Sequence, residues 1–320
     1  MNNLQGRFLD LATVDRGDLD LSGLKQTLPD WHLYQGTTAT ETAEHIRDAA
    51  VVVSNKVVLD REVLGRARGL RLVCIAATGA NNVDLDAARE LGIAVANVTG
   101  YATPAVVQHV FALILALTTR LPDYRAAVSA GAWQRSSRFC LLDFPIRELA
   151  GKTLGIIGHG ELGRAVAGIA RAFGMEVLVS QRPGGAPAPG RLPLDALLSR
   201  ADVLSLHCPL AENTRNLIGE RELALMKPGA LLINTARGGI VDEGALAEAL
   251  RRGRLGGAGV DVLTREPPVA GNPLLEPGIP NLIVTPHIAW ASRESRQRLV
   301  DGVAANIRAF LAGEARNRVV

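Results

Sequence analysis

Several features that identify specialised protein classes are scarce or absent in this chain. Its three cysteines, Cys74, Cys140 and Cys208, are scattered and do not have CxxC spacing. They fit buried thiols in a reducing compartment better than a disulfide framework or a zinc site. The N-terminal segment MNNLQGRFLDLATVDRGD has acidic residues where a secretory signal needs an apolar core, and no apolar run has transmembrane length. We therefore expect a cytoplasmic protein without a metal site or a membrane partner.

The chain also lacks an excess of charge of one sign. It has 35 Lys and Arg against 32 Asp and Glu, a net charge of +3, which gives no reason to expect a nucleic-acid partner. The sequence pI of about 9.0 leaves a weak attraction for anions. With 48% hydrophobic and 21% charged residues the composition is that of a soluble globular protein, and 320 residues are long for one core. Two domains are the default expectation.

Short β-type runs alternate with helical patterns almost throughout, which predicts parallel sheets joined by crossover helices. The first hundred residues contain the strand candidates RFLDLA, HLY, AVVVSN, RLVCIAA and IAVANV. A long helix follows, with Thr103 as the expected N-cap and Pro104 at the first helical position. From residue 152 the pattern restarts with TLGIIG, MEVLVS, DVLSLHC, ALLINTA, GAGVDVL and NLIVTP, and an amphipathic helix over about 291–312 ends the chain. The pattern indicates two α/β units.

The strand candidate TLGIIG leads into a glycine-rich turn and then a helix: Gly158-His159-Gly160-Glu161-Leu162-Gly163. In a dinucleotide site one glycine permits the tight turn, one lets backbone amides approach a pyrophosphate, and one lets helix and strand pack closely. Glycine turns alone are a weak signal. This turn, however, lies between a strand and a helix and is followed by a second strand, MEVLVS. That context favours a dinucleotide-binding site over a structural turn.

The end of that second strand bears on the choice of cofactor. NAD sites usually carry an acidic residue there, whereas this chain has Ser180-Gln181-Arg182, and Glu176 lies at the opposite end of the strand. Without a carboxylate to repel a 2′-phosphate, NADP(H) is favoured and NAD(H) is the alternative. Arg182 could equally be a solvated loop residue, with Gln181 bonding the ribose diol.

Other polar residues follow the predicted strands, at the edge where an open parallel sheet binds its ligands. They are Arg237, Asp261, Glu266, His287 and His207. Taken singly, each residue could have a purely structural role, as a member of a surface ion pair, a solvated loop residue or a buried histidine with its hydrogen bonds made. Together they match reduction of a 2-keto acid, which needs a cation for the carboxylate and carbonyl and an acid for the developing alkoxide. A carboxylate beside the histidine favours its protonated form.

These segments carry a resemblance to a known family. With GHGELG, LHCPL at 206–210, MKPGALLINTARGGIVDEGAL, GVDVLTREPP and TPHIAW, the chain resembles the D-isomer-specific 2-hydroxyacid dehydrogenases over essentially its whole length. The family's catalytic Arg–Glu–His set falls on Arg237, Glu266 and His287. The resemblance implies an α/β fold of two doubly wound parallel-sheet domains. A Rossmann cofactor domain (101–289) is inserted into a flavodoxin-like substrate domain (1–100 plus 290–320).

The resemblance also implies cofactor contacts, a homodimer and a substrate loop. In this resemblance Ala236 and Asp261 orient the carboxamide of the nicotinamide. The full set of expected cofactor contacts is the glycine turn, Thr103, Gln181, Arg182, His207, Cys208, Pro209, Thr214, Thr235, Ala236 and Asp261. Residues 139–151 are expected to form an arm that crosses to the partner, an inter-domain linker being nearly as plausible. Substrate contacts fall on Asn55, Thr78, Gly79, Tyr101 and Trp290. The segment around Thr78 could instead be an ordinary strand-to-helix turn, and Trp290 could pack between domains.

The segments SNKVVLD, ATGANNVD and HIAW look most like bacterial glycerate dehydrogenases, also called hydroxypyruvate reductases. We therefore expect an enzyme that reduces hydroxypyruvate and glyoxylate to D-glycerate and glycolate. One alternative keeps the chemistry with another substrate, such as D-lactate or a branched keto acid. The other is a nicotinamide-sensing interaction protein with weak activity.

Overall fold

The aliphatic runs of the sequence form the strands of two separate parallel sheets in a computed structural model that describes residues 4–320. Within these residues the strands are β1 (Gln5–Phe8), β2 (Asp30–Leu33), β3 (Val51–Ser54), β4 (Leu72–Ile75), β5 (Ala94–Ala96), β6 (Thr153–Ile157), β7 (Glu176–Val179), β8 (Val203–Leu206), β9 (Leu231–Asn234), β10 (Gly257–Val260) and β11 (Leu282–Val284). The first sheet has the order β2-β1-β3-β4-β5 and the second β11-β10-β9-β8-β6-β7. Both orders reverse once, as in doubly wound folds.

Helices connect these strands and end the chain. They are α1 (Ser22–Lys25), α2 (Ala39–His45), α3 (Arg61–Arg66), α4 (Leu85–Glu90), α5 (Thr103–Thr118), α6 (Leu121–Ser129), α7 (Glu161–Ala172), α8 (Leu194–Leu198), α9 (Glu220–Leu225), α10 (Glu243–Arg251) and α11 (Arg293–Leu311). The structure starts α5 at Thr103, one residue earlier than the sequence predicts. The Thr103 hydroxyl donates to the Glu161 carboxylate and does not cap its own helix.

The described chain divides into two compact units. The first contains the described residues up to Ala102 together with Trp290–Val320, and the second is Thr103–Ala289. In the first unit, Val51 and Val53 face one apolar cluster and Val52 the other, so both faces of the sheet are covered. This explains why the strand reads as an unbroken run of valines rather than as an alternating pattern.

The register of the second sheet brings the carboxyl ends of its strands to one level. Ile157 lies beside Leu206, Leu206 beside Asn234, Asn234 beside Val260, and Val260 beside Val284. The residues that follow these strands therefore emerge at one edge: Gly158, His207, Thr235, Asp261 and Thr285. This edge is where ligands bind in open α/β sheets.

No single helix among the described residues is long and apolar enough to cross a membrane. Only α5 and α6 taken together, bent by 60°, have that length and composition.

Candidate active site

The glycine turn after β6 is packed against the segment that follows β8. Gly158 has a φ of +92°, and a Cβ there would approach the carbonyl carbon of His207 to 2.5 Å. A Cβ on Gly163 would meet the Gly158 carbonyl oxygen at 2.1 Å, whereas one on Gly160 would meet no atom within 4 Å. Two glycines thus permit the turn and the close packing, and the third leaves the N-terminus of α7 open to a ligand.

Backbone and side-chain hydrogen bonds hold the segment His207-Cys208-Pro209 in place. The His207 amide donates to the Ile157 carbonyl at 2.7 Å, and its Nε2 lies 2.8 Å from the Ser205 hydroxyl. Burial lowers the pKa of His207 to about 4, so its ring is neutral at neutral pH. Thr214 is buried and accepts from the Ala211 amide while donating to the Pro209 carbonyl, both at 2.7 Å. Thr214 therefore braces the segment next to the glycine turn.

The end of β7 presents cations and no carboxylate. The Gln181 amide donates to Leu192, and Arg182 is exposed. The Arg191 guanidinium lies 3.5 Å from the Ser180 carbonyl. Glu176, at the other end of the strand, faces Arg200 at 3.4 Å. His159, in the glycine turn, has a pKa lowered by burial and then by Arg191, Arg164 and Arg171, which marks this area as positively charged.

Arg237 follows β9 at a turn that Asn234 closes. The buried Asn234 side chain accepts from the Ala236 amide at 3.1 Å and donates to the Arg237 carbonyl at 3.0 Å. The guanidinium donates to the Ala236 carbonyl at 2.7 Å and has no ion-pair partner among residues 4–320. A surface salt bridge is therefore not the reason for the arginine at this strand end.

Glu266 and His287 form a close pair. The His287 Nδ1 lies 2.5 Å from Glu266 Oε2, and the other carboxylate oxygen accepts from the Leu263 amide at 2.8 Å. The turn after Arg237 adjoins the same segment, because a Cβ on Gly238 would lie 2.0 Å from the Leu263 carbonyl carbon. The structure thus brings the segments bearing Arg237, Glu266 and His287 together within Thr103–Ala289.

Asp261 is buried behind this pair. Its backbone carbonyl accepts from the His287 amide at 2.8 Å, and its carboxylate oxygens accept from the Ile288 and Ala289 amides at 2.9 and 2.8 Å. His287 has a φ of +55°, which non-glycine residues rarely adopt. Asp261 therefore shapes the loop that carries the imidazole.

The residues expected to contact substrate belong to the first unit. Asn55 is buried after β3; its amide donates to Asp10 Oδ1 at 2.8 Å and its side chain to the Thr13 hydroxyl at 2.9 Å. The Thr78 hydroxyl, next to Gly79, donates to the Val98 carbonyl at 2.9 Å. The rings of Tyr101 and Trp290 meet edge to face, with centroids 6.4 Å apart. Trp290 packs against the apolar cluster of this unit.

Sequence reasoning missed two residues that organise these segments. Asp10 was placed within a strand, yet its buried carboxylate accepts from the amides of Asn55, Lys56 and Val57 at 2.8, 2.6 and 3.3 Å. Burial raises the pKa of Asp10 despite these three bonds. Asn234 was read only as the end of a strand. A polar residue at the carboxyl end of a strand was the available signal for Asn234, whereas Asp10 lies inside the predicted strand RFLDLA and gave no such signal.

A dinucleotide fits the chemistry of the second unit. The hydroxyl of Thr235 is buried at the carboxyl end of β9 with no hydrogen-bond partner in the described part of the chain. Such a group costs about 1–3 kcal/mol unless a ligand satisfies it. With the open Gly160 and the Arg-rich end of β7, this fits a ligand that has both phosphates and polar ring substituents. No group of three or more His, Cys, Asp or Glu residues suited to a metal occurs within residues 4–320.

Comparison with known proteins agrees with this geometry. Residues 111–289 match the family model for the NAD binding domain of D-isomer specific 2-hydroxyacid dehydrogenases. A glycerate dehydrogenase of Methylorubrum extorquens is 44% identical over 308 residues, 96% of this chain and 97% of that protein. A hydroxypyruvate reductase of Blautia hydrogenotrophica is 39% identical over 97% of this chain and 98% of its own. The crystal structure of the TT0316 protein from Thermus thermophilus has a TM-score of 0.87 and 37% identity, covering 99% of this chain and 100% of that one.

Proposed function

Because the chain belongs to the D-isomer specific 2-hydroxyacid dehydrogenase family of NAD(P)-dependent oxidoreductases, we propose that it reduces hydroxypyruvate and glyoxylate to D-glycerate and glycolate. The observation that carries this proposal is the Glu266–His287 pair beside the turn of an arginine without an ion-pair partner in the described chain. The two similar proteins named for glycerate and hydroxypyruvate support the choice of substrate.

Each of the four residues at this site has a separate role in the proposed mechanism. Glu266 accepts from Nδ1 of His287, which orients the ring so that Nε2 can donate a proton to the keto oxygen. Arg237 binds the carboxylate and carbonyl oxygen of the anionic substrate, for which its planar guanidinium is suited. Asp261 keeps the His287 loop in place. A reduced nicotinamide cofactor held by the second unit would supply the hydride.

We propose that residues 101–289 are the cofactor domain, inserted into a substrate domain of residues 1–100 plus 290–320. The matched NAD binding model over 111–289 supports the first assignment. Within the second unit, the glycine turn, His207-Cys208-Pro209, Thr235 and Ala236 would hold the dinucleotide, and Thr103 would lie beside it through its bond to Glu161. In the substrate domain, Asn55, Thr78, Gly79, Tyr101 and Trp290 would contact the keto acid.

The preferred cofactor in this proposal is NADP(H). Its support is the end of β7, where Gln181 and Arg182 follow the strand, Arg191 lies 3.5 Å from the Ser180 carbonyl, and the acidic residue usual in NAD sites is replaced by Gln181. Gln181→Asp should shift the kcat/KM ratio of NADPH to NADH toward NADH, because a new carboxylate repels the phosphate. Gln134→Asp adds the same charge at an exposed site and should leave the ratio unchanged. An unchanged ratio in the Gln181 variant would mean that the phosphate is recognised elsewhere.

We also propose a homodimer. Residues 139–151 include three largely exposed apolar side chains, Phe139, Leu142 and Ile146, at 91%, 75% and 58% exposure. Exposed apolar side chains grouped in one segment are typical of a surface that another chain covers. Sedimentation of the protein and of a Phe139→Ser, Leu142→Ser variant checks this: the wild type should be a dimer and the variant should dissociate.

A spectrophotometric assay tests the proposed reaction. Hydroxypyruvate, glyoxylate, pyruvate and a branched keto acid are each supplied with NADPH and with NADH. The highest kcat/KM should occur with hydroxypyruvate or glyoxylate. Faster turnover of pyruvate or of the branched acid would retain the chemistry and reject the proposed substrate. No turnover with any acid would reject the enzymatic function.

A further inference from the structure

A histidine of α5 belongs to the hydrogen-bond network behind His287. His109 Nε2 lies 3.0 Å from the Thr285 hydroxyl and 3.6 Å from Asp261 Oδ1. The Thr285 hydroxyl in turn lies 2.5 Å from Asp261 Oδ1. None of the functions described above uses His109 or Thr285.

The packing of α5 on β10 places His109 at this point. A Cβ on Gly257 would meet Leu117, and one on Gly259 would meet Leu113. The contacts step back four residues along α5 for every two residues forward along β10. Four helical residues rise about 6 Å and two strand residues about 6.6 Å, so the next step pairs His109 with Asp261. The close approach depends on the two glycines, which leave room for the leucines.

The directions of the hydrogen bonds follow from counting protons. Asp261 is 1% exposed, and its carboxylate accepts from two backbone amides. The single proton of Thr285 therefore points to Asp261 Oδ1. The Thr285 oxygen can then only accept from His109, so Nε2 of His109 carries a proton and donates it. His109 thus acts on the buried carboxylate through Thr285: it donates to the Thr285 hydroxyl, which in turn donates to Asp261 Oδ1.

We infer that His109 is a positioning residue for His287: through Thr285 and Asp261 it fixes the loop 287–289 that presents the imidazole. The inference rests on the proposed role of His287 as the acid. Removal of the donor weakens the hold of Asp261 on the Ile288 and Ala289 amides. The backbone of His287 can then relax from its φ of +55°, which displaces the ring from the substrate oxygen.

The experiment compares His109→Leu, His109→Gln and Thr285→Val with the wild type. Gln108→Leu, an exposed neighbour on the same helix, is the matched control. His109→Leu should lower kcat for hydroxypyruvate by about 10–100-fold, because a small displacement of a reacting group has that effect, with KM changed less than about 3-fold. His109→Gln keeps an N–H donor and should restore most of kcat. Thr285→Val should match His109→Leu, and the double variant should lose little more.

Amide hydrogen exchange gives a second readout that needs no substrate. The Ile288 and Ala289 amides should exchange at least about 10-fold faster in His109→Leu and at the wild-type rate in Gln108→Leu and His109→Gln. Unchanged exchange in His109→Leu, a loss of kcat that Gln does not restore, or additive losses in the double variant would each overturn the inference. If the wild type reduces no keto acid, the proposed function fails, and the exchange rates alone decide whether His109 fixes the loop.

Discussion

The strand order reverses once in each of the two sheets, and different residues occupy these two equivalent positions. The order of each sheet reverses at one pair of strands, β1 and β3 in the first unit and β6 and β8 in the second. At β1 and β3 a buried carboxylate, Asp10, accepts from three consecutive amides of the next loop. At β6 and β8 no side chain intervenes, and Gly158 packs directly on the backbone of His207.

The difference follows from what each loop presents. The Asp10 carboxylate occupies the amides of the loop 55–57, so this loop is fixed and only its side chains remain available to a ligand. The glycine turn has no side chain at Gly158, Gly160 or Gly163, so it offers its amides, which suit a phosphate. Substitutions on either side should therefore fail in different ways.

The largest effect should come from the second unit. In Gly163→Ala the new Cβ would lie 2.1 Å from the Gly158 carbonyl oxygen, so the turn must move. We expect NADPH binding to weaken by at least about 100-fold and stability to fall by about 1–3 kcal/mol. Fluorescence titration and thermal unfolding measure the two changes.

The control for that variant lies on the same helix. A Cβ on Gly168 meets no atom within 4 Å, and Gly168→Ala should stabilise the protein by about 0.5–1 kcal/mol through helix propensity. If both substitutions behave alike, close packing at Gly163 is not what maintains the turn.

A smaller effect is expected at the equivalent point of the first unit. Asp10→Asn replaces a carboxylate that accepts from three amides and should lower the free energy of unfolding by about 1–3 kcal/mol. Because the loop bearing Asn55 loosens, KM for hydroxypyruvate should rise about 10-fold while NADPH binding stays unchanged. Steady-state kinetics and cofactor titration separate the two. Asp48→Asn, at an exposed position of the same unit, is the control. Weakened NADPH binding in Asp10→Asn would contradict the division of labour between the units.

The smallest effect concerns pH. Asp18 forms two 2.7 Å bonds with the buried Arg296 of α11, and this arginine holds the pKa of Asp18 well below its ordinary 3.8. A depressed carboxyl pKa contributes stability above the unfolded value, and the contribution is lost as pH falls through the folded value. The stability advantage of wild type over Asp18→Asn should therefore shrink between about pH 5 and about pH 2.

Urea unfolding measures that advantage in a Trp133→Phe background, where the remaining tryptophans, Trp31 and Trp290, both belong to the first unit. An advantage that is constant over the whole range would mean that the Asp18–Arg296 pair does not stabilise the fold.

The same contrast explains how much the sequence could predict. The two-unit α/β fold with parallel sheets was predicted and is confirmed, because strands buried on both faces are unbroken apolar runs such as AVVVSN. The glycine turn was recognisable because residues without side chains leave a spaced pattern. Asp10 left no pattern, since a single carboxylate inside RFLDLA shows neither its burial nor the amides that it accepts from. His109 and Thr285 are 176 positions apart, and only the packing of α5 on β10 brings them together.

We propose that Arg237 and His287 act together in the reduction of a 2-keto acid. Single-turnover reduction of hydroxypyruvate by NADPH, followed by stopped flow in wild type, Arg237→Ala, His287→Ala and the double variant, tests it most directly. We predict that His287→Ala lowers the rate by about 10²–10⁴-fold, that Arg237→Ala also weakens keto-acid binding, and that the double variant loses much less than the product of the two. A near-normal rate for His287→Ala, or losses that simply multiply, would contradict the account.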